Sequence, residues 1–161
     1  KMIKRLYNFL VDYLPGFENS FIANEASIIG IRESRRIVGE YVMDSKDYKN
    51  RKKFKDAIAS SAYPIDIHGD ELELEEVKQG EYYQIPYRSL IPKNIKNLLV
   101  TGKSISSSFT TQAAIRIQPI CRATGEAAGI AAAKAVKENI NIRDIDGQNV
   151  KKQMLDWGAD I

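Results

Sequence analysis

Asn97-Leu98-Leu99-Val100-Thr101-Gly102 is followed by a polar stretch over residues 103–112 and then by the run Ala123-Thr124-Gly125-Glu126-Ala127-Ala128-Gly129-Ile130-Ala131-Ala132-Ala133. The first run is short and apolar and stops at Thr-Gly, which predicts a fully buried strand of a parallel or mixed sheet. The second belongs to a long helix over about residues 119–139, with Pro119 tolerated at its start because that N–H has no intrahelical partner. A strand, a polar loop and a long helix in this order predict an α/β chain of mixed α and β elements. Glycine inside a helix costs about 1 kcal/mol relative to alanine, so Gly125 and Gly129 ask for a close neighbour. Two readings stand: tight packing of helix on sheet, or a helix start whose free N–H groups and positive dipole end meet an electron-rich ligand. Glu126 and Lys134 interrupt the apolar character and exclude a membrane-packing Gly-x-x-x-Gly face.

Outward from this unit, the composition sets bounds. The chain has 161 residues, 43% hydrophobic and 28% charged, which fits a globular domain and excludes collagen-like or disordered classes. With 24 basic and 21 acidic side chains the net charge is only +3, too little to act as a general nucleic-acid surface. Cys121 is the single cysteine, so an internal disulfide and a thiolate zinc site are both excluded, which suits a cytoplasmic setting. Neither a signal peptide nor a membrane span is expected.

Met2, Ile3, Leu6, Phe9, Leu10, Tyr13 and Leu14 recur at helical spacing and predict an amphipathic helix over residues 2–14, stopped by Pro15-Gly16. Residues 25–29 suit a short strand or a buried turn. Ile37, Val38, Tyr41 and Val42 predict a strand over residues 35–43 despite Gly39. Asp44 is placed to cap a helix over about residues 45–61, whose lysines and arginines between 46 and 55 form either a phosphate-binding patch or a solvated face. The acidic run at 70–76 alternates with Leu72 and Leu74, which suits an exposed edge strand better than a metal site lacking any second ligand type. Residues 81–90 read as a strand bent at Pro86. Asp146 begins a short helix in which Val150, Met154 and Trp157 share a face, with Gly158 as its stop.

Five segments then stand together: Gly30-Ile31-Arg32-Glu33-Ser34-Arg35-Arg36-Ile37-Val38-Gly39-Glu40; Asp56-Ala57-Ile58-Ala59 on to Tyr63-Pro64-Ile65-Asp66-Ile67-His68; Tyr83-Gln84-Ile85-Pro86-Tyr87-Arg88-Ser89-Leu90; the run from Asn97 to Ser106; and Ile115-Arg116 on to Gly129. In this order they resemble the C-terminal part of the FAD-dependent oxidoreductases related to the glutathione-reductase-type flavoproteins. The resemblance spans nearly the whole chain. It implies a substrate-binding region over residues 1–93 and the return of the FAD-binding domain over 94–161. It also implies flavin contacts at Gly102 and Lys103 and at Ala123, Thr124 and Gly125, where a donor-rich helix would stabilise negative charge on the reduced ring. Lys103 stands where many relatives have arginine, keeping the charge but losing the planar fork. Glu126, often glutamine in relatives, is expected to point away from the flavin.

For the substrate pocket the resemblance implies Arg32, Arg35, His68, Tyr83 and Arg88. Arg32 and His68 are the candidate catalytic pair, with arginine clamping an anionic group and histidine moving a proton near neutral pH. The bland alternatives are an ion-pair network for the arginine run and a structural hydrogen bond for His68. Cys121 reads as a small buried helix residue.

The Gly-x-Gly-x-x-Gly fingerprint that seats the FAD pyrophosphate occurs nowhere in the sequence. With Lys1 rather than Met at the start, the expectation is a C-terminal fragment of a two-domain FAD-binding fold. Alone it would hold FAD weakly or not at all and lack turnover. Uncovered strand edges and apolar surface would favour self-association, and a small molecule, not nucleic acid or membrane, is the expected partner. The competing class is a non-catalytic interaction module that uses the basic helix.

Overall fold

A computed structural model describes residues 1–67 and 77–161. His68 and the predicted edge strand at 70–76 lie outside the described residues. The chain divides into two compact units, Lys1–Ile31 and Arg32–Ile161, so the boundary expected at 93/94 falls inside the second unit. No helix among the described residues is long and apolar enough to cross a membrane.

The first unit holds helix α1, Met2–Tyr13, as its periodicity predicts. Phe9 and Tyr13 stack with ring centroids 5.1 Å apart, and the Tyr7 hydroxyl donates to Ser20 O at 3.0 Å. Gly16, at φ 95°, makes the turn that ends the helix. Residues 25–29 form no strand and no buried turn: Ile28 and Ile29 are exposed.

The second unit is a mixed α and β layer built on a small sheet. Asp44 caps α2, Ser45–Lys49, accepting from Lys46 N and Asp47 N, while the Asp47 side chain reaches back to Asp44 N. The helix expected over 45–61 nonetheless stops after one turn. Arg51 takes the left-handed conformation at φ 48°, its N–H bonding to Tyr48 O and that of Lys52 to Asp47 O, a Schellman ending. The residues beyond it are then recruited as β1, Ala57–Ser61, antiparallel to β2, Tyr83–Pro86, with a bulge between Ala57 and Ala59. Long-range pairing overrides the weak helical pattern there. Pro86 ends β2, and Tyr87–Leu90 turns as a short 3-10 helix.

Two predicted strands are absent among the described residues. Residues 35–43 make only isolated bridges, Gly39 to Pro92 and Met43 to Ser107. Gly39 lies so close to Ser106 that a Cβ there would sit 2.7 Å from the serine Cβ, and its N–H donates to Ser106 Oγ at 2.9 Å. The segment is thus stitched to a loop instead of a ladder. At 97–100, Asn97 adopts φ 53° and Val100 N donates to Leu90 O at 2.9 Å, with Leu98 exposed. This is irregular chain, not a buried strand.

Helices follow as α3, Phe109–Ile115, α4, Gln118–Glu138, and α5, Gly147–Asp156. Helix α4 buries Ile120, Thr124, Ala127, Ala131 and Ala135 on one stripe and ends at Asn139, φ 54°. Alanines therefore face the core. At Gly125 and Gly129 an added Cβ would meet nothing within 4 Å, so neither glycine answers to close packing among the described residues. Glu126 is exposed. Helix α5 starts at Asp146, buries Val150 and Met154, and closes on Gly158 at φ 91° in a second Schellman ending, while Trp157 stays exposed rather than sharing their face. The core joins Met43, Tyr48, Ile58, Tyr83, Ile85, Tyr87, Leu90, Ile105, Ile115 and these helix residues.

Candidate functional site

The loop after Val100 is shaped by one glycine. Gly102 sits at φ 68°, a conformation other residues resist, and opens a short 3-10 turn, Gly102–Ser104. Its N–H donates to Thr124 Oγ1 at 3.0 Å, and the same hydroxyl donates to Cys121 O at 2.9 Å. Thr124 is buried and its hydroxyl is committed to both bonds, so it fastens the glycine turn to α4. Ala123 is half-buried and Gly125 exposed beside it. Helix α4 itself begins earlier than the residues named for flavin contact: Ile117 is its N-cap, no side chain caps it, and Pro119 lies in its first turn. The free N–H groups at the start of α4 are therefore those of Gln118 and Ile120, Pro119 having none, one turn before Ala123. Cys121 lies in this turn, its thiol directed to Arg116 O at 3.5 Å; burial pushes it up, with Lys103 pulling the other way.

Further along, Ser108 caps α3 by accepting from Thr111 N at 3.2 Å. That short helix carries Gln112, fully buried, whose Nε2 donates to Lys103 O and to Arg32 O, both at 3.4 Å. Its Oε1 is a buried polar atom with no partner. One side chain thus ties the backbone of the glycine turn to the backbone that carries Arg32.

Arg32 stands at a cavity of about 460 Å³ lined also by Glu33, Asp66, Ile67, Phe109 and Arg116. Arg116, at the end of α3, organises it: only 9% of its side chain is exposed, and its fork reaches Glu33 Oε1 at 2.6 Å, Asp66 O at 3.1 Å and Asp66 Oδ2 at 3.7 Å. Arg32, 59% exposed, pairs with Asp66 from the other side. Arg36 lies over the Phe109 ring, 6.0 Å from its centroid, and donates Nε to Ser107 O at 3.0 Å.

The other expected substrate residues lie elsewhere. Arg35 is exposed and outside this lining. Tyr83 has no exposed surface; its hydroxyl donates to Tyr63 O at 3.0 Å, and burial pushes its pKa well up. A side chain closed off in this way does not meet a ligand. Arg88 lines a different cavity, of about 520 Å³, where Nε donates to Asp56 Oδ2 at 2.9 Å and Nη2 to Oδ1 at 3.2 Å. That bidentate bond raises the Arg88 pKa. Sequence reasoning missed Asp66, Arg116, Glu33, Phe109 and Gln112. Arg116 lay inside a quoted motif, and the carboxylates lay beside Arg32 and His68, but nothing local showed that they converge.

The described chain is thus a mixed α and β protein in which Thr124 fastens the Gly102 turn to α4 and Arg116 gathers paired charges around a cavity. The family model for FAD dependent oxidoreductases matches residues 1–154, and the chain belongs to that family. Comparison with curated proteins and with solved structures found no match.

Proposed function

We propose that this chain is the C-terminal, flavin-ring and substrate side of a glutathione-reductase-type FAD-dependent oxidoreductase, with the adenosine and pyrophosphate held by residues outside it. The observation that carries this reading is the Gln112 bridge, which sets the Lys103 turn against the Arg32 segment. A cofactor on one side and a substrate on the other would meet there.

The donor set fits a flavin. The first turn of α4 has no side-chain oxygen to satisfy its N–H groups, and Gly102 and Lys103 lie next to it through the Thr124 clamp. Those donors and the Lys103 ammonium suit an electron-rich ring edge. FAD, when bound, supplies the acceptor for two electrons. Arg32 and Arg116 position the substrate. His68, next in sequence to Ile67 of the lining, is assigned the proton that leaves the substrate hydroxyl.

The interaction-module reading loses its main support. Helix α2 ends at Lys49, Lys52 pairs with Asp47 at 2.8 Å, Arg51 with Glu81 at 3.0 Å, and Lys53 donates to Tyr82 O. Much of the basic run is spent within the chain.

Two measurements test the assignment. The isolated chain is expected to purify colourless and without turnover, and a yellow preparation contradicts that. In the parent protein, Lys103→Ala is expected to weaken FAD retention about tenfold, read by flavin release on filtration; unchanged retention contradicts the placement of the flavin beside this turn.

A further inference from the structure

The cavity at Arg116 has a charge balance that selects its ligand. Its lining holds two cations, Arg32 and Arg116, and two carboxylates, Glu33 and Asp66, and every guanidinium faces a carboxylate. Among the described residues, an entering carboxylate or phosphate would find both lining guanidinium groups already paired. It would have to displace Glu33 or Asp66 and then lie beside it, and like charges so close are strongly unfavourable.

Hydroxyl groups meet no such conflict. Carboxylates only accept and guanidinium groups only donate, whereas a hydroxyl does both. Adjacent hydroxyls on one carbon chain can therefore bridge an Arg–carboxylate pair without breaking its charge balance. The remaining wall is apolar: Ile67 and Phe109, whose residue is 51% exposed although Arg36 lies over its ring. A ring of this kind beside paired charges suits a ligand with one C–H face and a hydroxylated rim. The volume of about 460 Å³ lies inside the range for small-molecule sites.

We propose that this cavity takes a neutral polyhydroxylated molecule, a sugar or polyol, in preference to a hydroxy acid or a phosphate ester. The inference rests on the reading of this cavity as the substrate side of the oxidoreductase and narrows its substrate class. It also replaces the anion clamp expected of Arg32 with a paired role.

The test is direct binding to this chain, read by ligand-observed NMR titration, which needs no flavin. The probes are the methyl glycosides of glucose, galactose and mannose and the methyl glucuronide that carries a carboxylate on the same ring. At least one neutral glycoside is expected to bind about tenfold or more tighter than the glucuronide. Asp66→Asn, which leaves the site one positive charge in surplus, is expected to invert that order. Phe109→Ala, at the exposed start of α3, is expected to weaken neutral glycosides with little change in the unfolding midpoint, so the proposal remains testable even where Asp66→Asn folds poorly. Tighter binding of the glucuronide to the unmodified chain, or no binding of any glycoside, overturns the proposal. Glycoside binding combined with a parent protein whose flavin no glycoside or hydroxy acid can reduce would instead break the oxidoreductase reading and leave the ligand class standing. Flavin reduction by a hydroxy acid without glycoside binding would do the reverse.

Discussion

Two cavities of similar size, both lined by arginine and carboxylate pairs, differ in how tightly their partners are held. In the larger, Asp56 has only 10% of its side chain exposed and takes two side-chain bonds from Arg88 as well as the Arg88 N–H. Helix α5 presses onto it so closely that a Cβ on Gly147 would lie 2.7 Å from Asp56 Cβ and 2.9 Å from Tyr87 Cβ. In the smaller, Arg32 is largely exposed and the charges are gathered from three separate segments by Arg116. A buried carboxylate whose bonds are all internal holds elements together. A charge pair open to solvent on one side can exchange partners with a ligand. Arg88 is itself half exposed, so the contrast rests on Asp56 and α5: the Arg88 cavity joins sheet to helix, and the Arg116 cavity is the one proposed to take the ligand.

The sharpest way to break that contrast is to remove the internal carboxylate. Asp56→Asn is expected to cost about 2–3 kcal/mol, discounted from the fully buried case because Arg88 is half exposed, while glycoside binding per folded molecule stays the same. Denaturant titration and binding on one sample check both halves. Gly147→Ala should cost somewhat less, about 1–3 kcal/mol, because α5 must back away from two side chains at their Cβ atoms. A neutral effect there would mean that α5 is loosely seated.

A smaller, pH-dependent effect belongs to the tyrosines of the same region. Burial pushes Tyr87 from its ordinary 10.0 up to about 12, and it pushes Tyr83 up further. A raised tyrosine pKa means that the folded state holds its proton more firmly. The associated stability is fully present below pH 10 and is lost as pH rises from 10 through about 12. Tyr87→Phe is expected to flatten the alkaline limb of the denaturant midpoint against pH, and an unchanged limb contradicts the assignment.

Where a local signal existed, the sequence could be read. Helix α1 followed its apolar spacing, Asp44 and Asp146 capped as their positions predicted, α4 filled its expected span within a residue or two, and Gly158 closed α5. Strand β1 was hidden because Ala57–Ser61 has little β character and gains its conformation from β2, more than twenty residues away. The runs at 35–43 and 97–100 had the right composition for strands, yet Gly39 is bonded to a loop serine and Asn97 turns its run at a positive φ. At the site, Gly102, Lys103 and Arg32 were visible as residues. The contacts that relate them were not: Gln112 reaches Arg32 across 80 residues and Arg116 reaches Asp66 across 50. Such convergence leaves no periodic trace.

Chemistry at the Arg116 cavity, as proposed, would show in anaerobic flavin bleaching of the parent protein by the methyl glycosides. Arg116→Lys keeps the charge but cannot span Glu33 and Asp66 with a planar fork. Bleaching is expected in the unmodified protein, and bleaching at least about tenfold slower per folded molecule in Arg116→Lys, whose unfolding midpoint should also fall because the fork joins separate segments. Equal rates in the two proteins, or no bleaching in the unmodified one, would place the chemistry away from this cavity.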